Sequence, residues 1–239
     1  MKIMSWNILA SEWIKKAYYP KVDKKILFNR SARFVKILEI IVKADADVIL
    51  LQEVMPLEYT SLKKHLQKKY QVSPLVPIKW KYMTEGNKPS ESGNTTFIRR
   101  SLAGQKQIEH FPLDFGIHTE ISGLSIFNIH LDDLTAQTRN KQIKSIATRL
   151  YATPQTIIGG DFNQSYRKNS YIYHLPEFTV HNIECPTYYI EQKLNIDNIM
   201  TRGIFIKEKK NNKCIAYPSK MEEGIEAYGS DHLPIIIDV

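Results

Sequence analysis

The chain has 239 residues, of which 43% are hydrophobic and 24% are charged, and its formal net charge is +8. This is the composition of an ordinary globular protein, and no apolar run approaches the length of about 18 residues that would span a bilayer. The excess of positive charge favours a polyanionic partner, either nucleic acid or an acidic membrane surface.

Apolar periodicity predicts strands and helices in alternation along the chain. The predicted strands are residues 2–8, 47–53, 72–77, 94–100, 118–122, 124–130, 195–200, 204–207 and 235–239. The first predicted helix starts at a cap on Asn29 or Ser31 and runs to about residue 42. The second runs from Pro56 to about residue 69, and the third runs from a cap on Thr135 to about residue 151. Residues 84–93 are rich in Gly, Asn, Pro and Ser, which indicates a loop.

No internal repeat, low-complexity tract or linker interrupts this pattern. We therefore expect one domain over residues 1–239, with two facing sheets and flanking helices. The first seven residues lack the apolar core of a signal peptide. The only two cysteines, Cys185 and Cys214, lie far apart and form no metal-site spacing. Reduced thiols, an intracellular (cytoplasmic or nuclear) location and a monomer are expected.

The most informative stretch is Ile157-Ile158-Gly159-Gly160-Asp161-Phe162-Asn163. A buried strand is predicted to end here, so that Asp161 and Asn163, two positions apart, project to the same side. The two glycines leave the backbone open to close approach by a ligand such as a phosphate. A carboxylate that polarises a water, beside an amide that holds it, suits hydrolysis. The same residues are equally typical of a simple turn.

Polar side chains recur at strand ends and at the turns beside them. They are Asn7, Glu53, His130, Asp161, Asn163, Asp197, Asp231 and His232. Each alone is more often a cap, a solvated acid or a structural histidine, but their repetition favours a shared site. Oxygen ligands from Glu53, Asp231 and Asn7 suit Mg²⁺ or Mn²⁺. Zinc is disfavoured, because no paired His or Cys ligands occur at metal-site spacing.

Six short motifs occur in order across nearly the whole chain. They are Ser5-Trp6-Asn7, Leu51-Gln52-Glu53-Val54, Asn128-Ile129-His130-Leu131, Gly160-Asp161-Phe162-Asn163, Ile196-Asp197 and Ser230-Asp231-His232. Together they resemble the endonuclease/exonuclease/phosphatase superfamily. The resemblance implies an α+β fold of the deoxyribonuclease I type, a four-layer α/β/β/α sandwich. Two mostly antiparallel sheets would pack face to face between flanking helices.

The resemblance also implies a phosphoesterase that depends on Mg²⁺ or Mn²⁺. Glu53 resembles the principal metal ligand, with Asn7 beside it. Asp231 would support the metal or its water shell. Physically this is in-line displacement at phosphorus, with the metal neutralising phosphate charge.

The remaining motif residues resemble the groups that act on water and phosphate. Asp161 resembles the residue that orients or deprotonates the attacking water, and Asn163 its phosphate- or water-positioning neighbour. His232 resembles the histidine that stabilises the pentacovalent phosphorus, with Asp197 orienting its ring. His130 matches a second phosphate-contacting histidine. One departure is Asn198, which follows Asp197 where the family usually has an aromatic residue.

The substrate stays open, because the superfamily includes nucleases, deadenylases, tyrosyl-DNA phosphodiesterases, sphingomyelinases and inositol-phosphate phosphatases. The positive charge favours nucleic acid, either DNA or RNA, with Asn94 and Arg139 as candidate substrate contacts. Four aromatic residues can stack on unpaired bases or pack internally: Tyr18, Tyr19, Trp80 and Tyr82. The alternatives are a phosphoesterase acting on sphingomyelin or an inositol phosphate, and a non-catalytic nucleic-acid-binding protein.

Overall fold

The structure is a computed structural model that describes residues 1–78, 90–104, 107–121, 123–150, 154–165, 174–182, 185–188, 194–204 and 221–239. The strands are β1 Lys2–Asn7, β2 Val48–Val54, β3 Tyr70–Val72, β4 Val76–Pro77, β5 Gly93–Arg99, β6 Ile108–Leu113, β7 Gly116–Ile121, β8 Leu124–His130, β9 Gln155–Asp161, β10 Thr179–Val180, β11 Asp197–Arg202 and β12 Ile235–Asp238. The helices are α1 Lys24–Leu27, α2 Arg30–Ala44, α3 Pro56–Leu66, α4 Arg100–Ala103, α5 Ala136–Ala147 and α6 Met221–Tyr228.

The strands form two six-stranded sheets. The first has the order β12-β1-β2-β5-β3, with β4 also paired to β5, and the second has the order β10-β11-β9-β8-β7-β6. Within the described chain, β1 pairs with β2 and β8 with β9 in parallel, and the other strand pairs are antiparallel. Helices lie in the connection of each parallel pair, α1 and α2 in the first sheet and α5 in the second.

Three apolar clusters separate four layers. Between the sheets lie Ile3, Leu50, Ile157 and Ile199 with their neighbours. The next residue of each strand points to the other face, as the period of two requires. Met4, Ile49 and Leu51 therefore pack with residues of α2 and α3, and Phe127 and Ile158 pack with α5. The predicted four-layer sandwich of two mostly antiparallel sheets is confirmed.

The helix starts agree with the sequence. The Asn29 side chain accepts a hydrogen bond from the backbone N–H of Ala32 at 3.0 Å, and the Thr135 side chain accepts one from Thr138 at 3.2 Å. Pro56 occupies the first turn of α3. Strand β6 was not predicted. Pro112 lies within it, and the strand tolerates this residue because it is at a sheet edge.

Some predicted features lie wholly or partly outside the described residues. They are residues 84–89 of the predicted loop, residue 122 of the predicted hairpin, the end of the third predicted helix at residue 151 and most of the predicted strand 204–207. The predicted strand 72–77 is instead two short strands, β3 and β4, which both pair with β5.

Cys185 is disulfide-bonded, so the expectation of reduced cysteines is wrong. The other cysteine of the chain, Cys214, lies outside the described residues. An intracellular location therefore loses the support that reduced thiols would give it. No described helix is both long enough and apolar enough to cross a membrane.

Candidate active site

The polar residues predicted from strand ends converge on one edge of the sandwich. Strands β1, β2, β8 and β9 end at this edge, and β11 begins there. The strand register places His130 opposite Asp161 and Asp161 opposite Asp197. The two sheets meet where Asn7, at the end of β1, contacts Asp161, at the end of β9. The topology therefore brings together residues that are far apart in the sequence.

Asp161 lies at the centre of this group and is 2% exposed. Its Oδ1 accepts a hydrogen bond from the backbone N–H of Asn163 at 2.8 Å, and its Oδ2 accepts one from Asn7 Nδ2 at 3.1 Å. The same Oδ2 lies 3.5 Å from His130 Nε2 and 3.8 Å from His232 Nε2. One carboxylate oxygen thus faces an amide and two imidazoles.

A bulge in β2 places the Glu53 carboxylate beside this centre. The register of β2 against β5 shifts between Leu51 and Val54, and Glu53 has a φ of 57°. Its Oε1 accepts a hydrogen bond from Asn7 Nδ2 at 2.8 Å, and its Oε2 accepts one from the Ala10 backbone N–H at 2.9 Å. A left-handed backbone at a glutamate costs about 1–3 kcal/mol, and such strain tends to occur at functional sites. Leu9 and Asn163, which flank the same site, also have a positive φ.

The two glycines before Asp161 serve packing. A Cβ on Gly160 would lie 1.8 Å from the backbone oxygen of Ile129, and one on Gly159 would lie 2.5 Å from Leu50 Cδ1. The expectation that these glycines leave room for a ligand is therefore wrong, because protein atoms fill that room. They let β8 and the other sheet approach β9 closely, which fixes the position of Asp161.

His232 is held by three neighbours. Its Nδ1 lies 2.8 Å from Asp197 Oδ2, its backbone carbonyl accepts a hydrogen bond from Trp6 Nε1 at 2.9 Å, and its ring packs against Tyr188 with centroids 4.8 Å apart. Asp197 in turn donates its backbone N–H to Thr187 Oγ1 at 3.1 Å. With Nδ1 engaged by Asp197, Nε2 is directed toward Asp161.

The site holds its two histidines in opposite protonation states. Burial alone would lower the pKa of His232, but the negative charges of Asp197, Asp231 and Asp161 raise that pKa to about 10. Burial lowers the pKa of His130 to about 4. At neutral pH His232 is therefore an imidazolium that can donate from Nε2, and His130 is neutral.

Asp161 has the properties of a base that works near neutral pH. Burial, and next the charge of Asp197, raise the pKa of its carboxyl to about 7, against the lowering effect of His232. A catalytic base is most effective when its pKa lies near the working pH. The Asp161 carboxyl can therefore take up a proton near neutral pH.

Asp231 lies at the edge of the same site. Its Oδ2 accepts a hydrogen bond from the Tyr19 hydroxyl at 2.8 Å, whereas its buried Oδ1 has no hydrogen-bond partner among the described residues. Sequence reasoning did not assign Tyr19 this role. The two residues are 212 positions apart, so no local pattern links them.

Arg33 was also missed, because it lies within an ordinary amphipathic helix. Arg33 is 5% exposed, and its guanidinium donates to two backbone carbonyls, that of Leu9 at 3.2 Å and that of Gly229 at 2.8 Å. Leu9 belongs to the loop after Asn7, and Gly229 belongs to the turn before Asp231. Arg33 thus joins the two loops that carry opposite sides of the site.

The donor set fits a hard divalent cation. The largely buried site contains four carboxylates, those of Glu53, Asp161, Asp197 and Asp231. Burial, and next the charge of Asp231, raise the pKa of Glu53, although the neighbouring histidines act to lower it. The orphaned Oδ1 of Asp231 is a free oxygen donor. Carboxylate oxygens of this kind are what Mg²⁺ and Mn²⁺ prefer.

Among the described residues, one group of three acid or histidine side chains lies close enough together to hold a metal ion. Ligand atoms of Asp161, Asp197 and His232 lie within 4.8 Å of one another. His232 is a poor ligand, however, because its raised pKa keeps it protonated. Glu53, which shares the Asn7 amide with Asp161, and Asp231, whose Oδ1 has no partner among the described residues, are the better oxygen donors. Asn7 presents its amide nitrogen to the carboxylates, because its Oδ1 accepts from the Leu9 N–H at 3.1 Å.

The two predicted substrate contacts are engaged inside the protein. Asn94 is fully buried, and its Nδ2 donates to the backbone oxygen of Asn128 at 3.1 Å. Arg139 donates from Nη1 to the backbone oxygen of Asp132 at 2.8 Å and from Nε to Gln164 Oε1 at 3.3 Å. Neither side chain projects freely toward a substrate in this arrangement.

The predicted stacking aromatics differ in their surroundings. Tyr19 is 2% exposed and bonded to Asp231, so it is not available to a base. Tyr18 is 54% exposed. Trp80 and Tyr82 lie outside the described residues.

Asn198, the departure from the family pattern, is 1% exposed. Its Oδ1 accepts from the Asn182 backbone N–H at 3.0 Å, and its Nδ2 donates to the Asn182 carbonyl at 2.7 Å. This pairing attaches a neighbouring segment to β11 by hydrogen bonds. The contact between Asp197 and His232 is intact beside it.

A sequence profile described as the Endonuclease/Exonuclease/phosphatase family matches residues 4–232. The chain belongs to this family, whose members are phosphoesterases, and the resemblance drawn from six motifs is confirmed. A comparison with curated protein sequences finds no significant match.

Solved structures show the same fold at low sequence identity. ANGEL2, described as a 2′,3′-cyclic phosphatase, has a TM-score of 0.69 and 15% identity over 98% of this chain and 93% of its own. The human Nocturnin catalytic domain has a TM-score of 0.63 and 16% identity over 99% of this chain and 92% of its own. A humanized TDP2 from D. rerio has a TM-score of 0.59 and 18% identity over 99% of this chain and 97% of its own.

Proposed function

We propose that this protein is a phosphodiesterase that hydrolyses nucleic acid with the help of Mg²⁺ or Mn²⁺. The observation that carries the proposal is the arrangement around Asp161. Its carboxylate faces His232, which is protonated and oriented by Asp197, and it shares the amide of Asn7 with Glu53. A proton acceptor, a proton donor and a cation-binding acid therefore surround one point, as in-line attack on a phosphate requires.

In this mechanism Asp161 takes a proton from the attacking water. The Nε2–H of His232 donates to a phosphoryl oxygen and stabilises the charge that accumulates as the new P–O bond forms and the old one breaks. Asn163 contacts the phosphate or the water, and neutral His130 makes a second phosphate contact. A divalent cation held by Glu53 and Asp231 would neutralise phosphate charge and polarise the reacting oxygens.

Charge supports a nucleic-acid substrate over a lipid or an inositol phosphate. A net charge of +8 favours partners with many phosphates. The fold relative ANGEL2 has been observed with adenosine-2′,3′-vanadate, which is a nucleotide phosphoester analogue. The intact set of Glu53, Asp161 and His232 opposes a purely non-catalytic role, because binding alone needs no water-activating group.

A hydrolysis panel tests the proposal. It contains abasic duplex DNA, single-stranded DNA, poly(A) RNA, a 5′-tyrosyl oligonucleotide, sphingomyelin and an inositol polyphosphate, each with MgCl₂, MnCl₂ or EDTA. We expect metal-dependent cleavage of at least one nucleic acid. Cleavage of only sphingomyelin or the inositol phosphate would support the proposed chemistry but refute nucleic acid as the substrate. Full activity in EDTA would overturn the metal assignment.

A further inference from the structure

A groove with a volume of 470 Å³ opens beside the active site. His130 lines its inner end, and the same imidazole lies 3.5 Å from Asp161, so the groove is continuous with the catalytic edge. Its volume is that of a site for one small ligand or one strand segment. The function proposed above leaves this groove without a role.

One wall of the groove is a stripe along α5 and the turn that follows it. The stripe consists of Thr138, Lys141, Gln142, Ser145 and Arg149, whose spacing of three or four residues places them on one helical face. It is about 16 Å long at the helical rise of about 1.5 Å per residue. Lys141 and Arg149 are exposed, and neither forms an ion pair within the described part of the chain.

The opposite wall is mainly apolar. It is formed by Ile78 and by Pro112, Leu113 and Phe115 from the hairpin between β6 and β7. Two acids also line the groove. Asp132 is 7% exposed and its carboxylate accepts the Thr135 backbone N–H at 2.7 Å just before α5, and Asp114 lies at the tip of the hairpin on the other wall.

We propose that this groove holds the part of a single nucleic-acid strand that continues beyond the scissile phosphate, with Lys141 and Arg149 contacting its phosphates. The inference rests on the proposed function and adds the path of the strand. Exposed cations along one wall match the positively charged grooves in which proteins hold unpaired strands, and Pro112 offers an exposed apolar surface on the other wall. A stacked strand advances about 3.4 Å per nucleotide, so the stripe can follow several nucleotides.

The first test measures binding without cleavage. A fluorescent single-stranded oligonucleotide is titrated in EDTA at several NaCl concentrations, with wild type, the Lys141→Ala/Arg149→Ala double variant and Lys144→Ala. Lys144 is a matched control, because it is an exposed cation of α5 that does not line the groove. For single strands each phosphate contact contributes about 0.7 to the slope of log K against log salt. The double variant should therefore lose about 1.4 from that slope.

We expect the double variant to bind at least about tenfold more weakly at low salt, and the control to stay close to wild type. Equal slopes in the double variant and in Lys144→Ala would overturn the groove assignment. So would a wild-type protein that does not bind the strand.

The second test separates this inference from the proposed function. Bis(p-nitrophenyl) phosphate is a small diester that can occupy the catalytic edge without filling the groove. The double variant should hydrolyse it at the wild-type rate and show a raised KM only for the strand. Salt-dependent binding without metal-dependent cleavage of the strand would refute the proposed function and keep the groove. If the double variant instead cleaves the strand with the wild-type KM, the groove assignment is refuted and the proposed function is kept.

Discussion

The carboxyl of Asp161 has its pKa raised to about 7 although it accepts two hydrogen bonds. Hydrogen bonds to the charged form normally lower a carboxyl pKa. Here burial and the nearby charge of Asp197 outweigh them. Asp197 has a second effect, because its contact with Nδ1 is among the interactions that raise the pKa of His232 to about 10. One buried acid thus supports both a proton acceptor and a proton donor.

The first prediction concerns Asp161→Asn. The amide has nearly the same shape, so the fold should persist, but it cannot accept a proton from water. We expect kcat for a cleavable strand to fall by about 10²–10⁴-fold, the range of general base catalysis. Steady-state kinetics beside a thermal melt measures this. A variant that melts like wild type and cleaves as fast would exclude Asp161 as the base.

The second prediction concerns Glu53→Gln and metal binding. A ligand that binds only the folded state stabilises it by about 2.7 kcal/mol at a hundredfold excess over its Kd. MgCl₂ or MnCl₂ should therefore raise the Tm of wild type, and Glu53→Gln should lose most of that rise. Glu39→Gln is the control, since Glu39 is exposed on α2 and far in sequence from the site residues. An equal rise in all three proteins would show that the cation binds elsewhere.

At the scale of elements, the site depends on loops that leave strand ends and are tied back by buried side chains. Arg33 on α2 is the clearest case, because its guanidinium bridges the Leu9 and Gly229 carbonyls. Gly229 has a φ of 79°, and a Cβ there would lie 2.6 Å from the Arg33 backbone oxygen. Helix α2 therefore contacts the loop that contains Gly229 through both its backbone and the Arg33 side chain.

The third prediction is that Arg33→Met lowers kcat by about tenfold or more with little change in KM. It leaves two buried carbonyls without a donor, a loss of about 1–3 kcal/mol in the free energy of unfolding. The loops should then hold Glu53 and Asp231 less well. Ile41→Val is the control, because it costs about 1 kcal/mol in the core of the same helix without touching either loop. Equal losses of kcat in both variants would show that Arg33 affects activity only through the stability of the fold.

Local sequence patterns predicted which residues meet at the site, but not the residues that hold them in place. Asn7, Glu53 and Asp161 were found because apolar strands end at these residues, which hydrophobic periodicity reveals. The bulge that turns Glu53 inward leaves no such pattern, since it arises from pairing with β5. The bond between Tyr19 and Asp231 spans 212 positions and depends on the tertiary fold alone. Pattern therefore located residues that converge on one edge of the sandwich, and packing determined their orientation.

At the scale of the whole molecule, two histidines away from the site stay neutral: His118, buried on β7, and His181, half-buried just after β10. His118 stacks on Phe127 with ring centroids 4.1 Å apart, and burial, aided by the charge of Arg149, lowers its pKa to about 4. Burial likewise lowers the pKa of His181 to about 4. Both side chains lie outside the catalytic group. They link folding to pH independently of the reaction.

The fourth prediction follows from these shifts. An unfolded histidine has a pKa near its ordinary value of about 6.5, so between pH 6.5 and about 4 the unfolded chain binds a proton that the folded chain does not. The contribution of these two histidines to stability is therefore intact above pH 6.5 and is lost as the pH falls toward 4, by at most about 1.4 kcal/mol per pH unit for each histidine. Urea unfolding across this range measures the slope.

His118→Gln should make that slope shallower, because glutamine takes up no proton in either state. His65→Gln serves as the matched control, since His65 is exposed on α3. The stability of the His118 variant should therefore approach that of wild type as the pH falls, even if it starts lower at pH 7. Parallel curves for the two variants would show that His118 takes up its proton equally in the folded and unfolded chains.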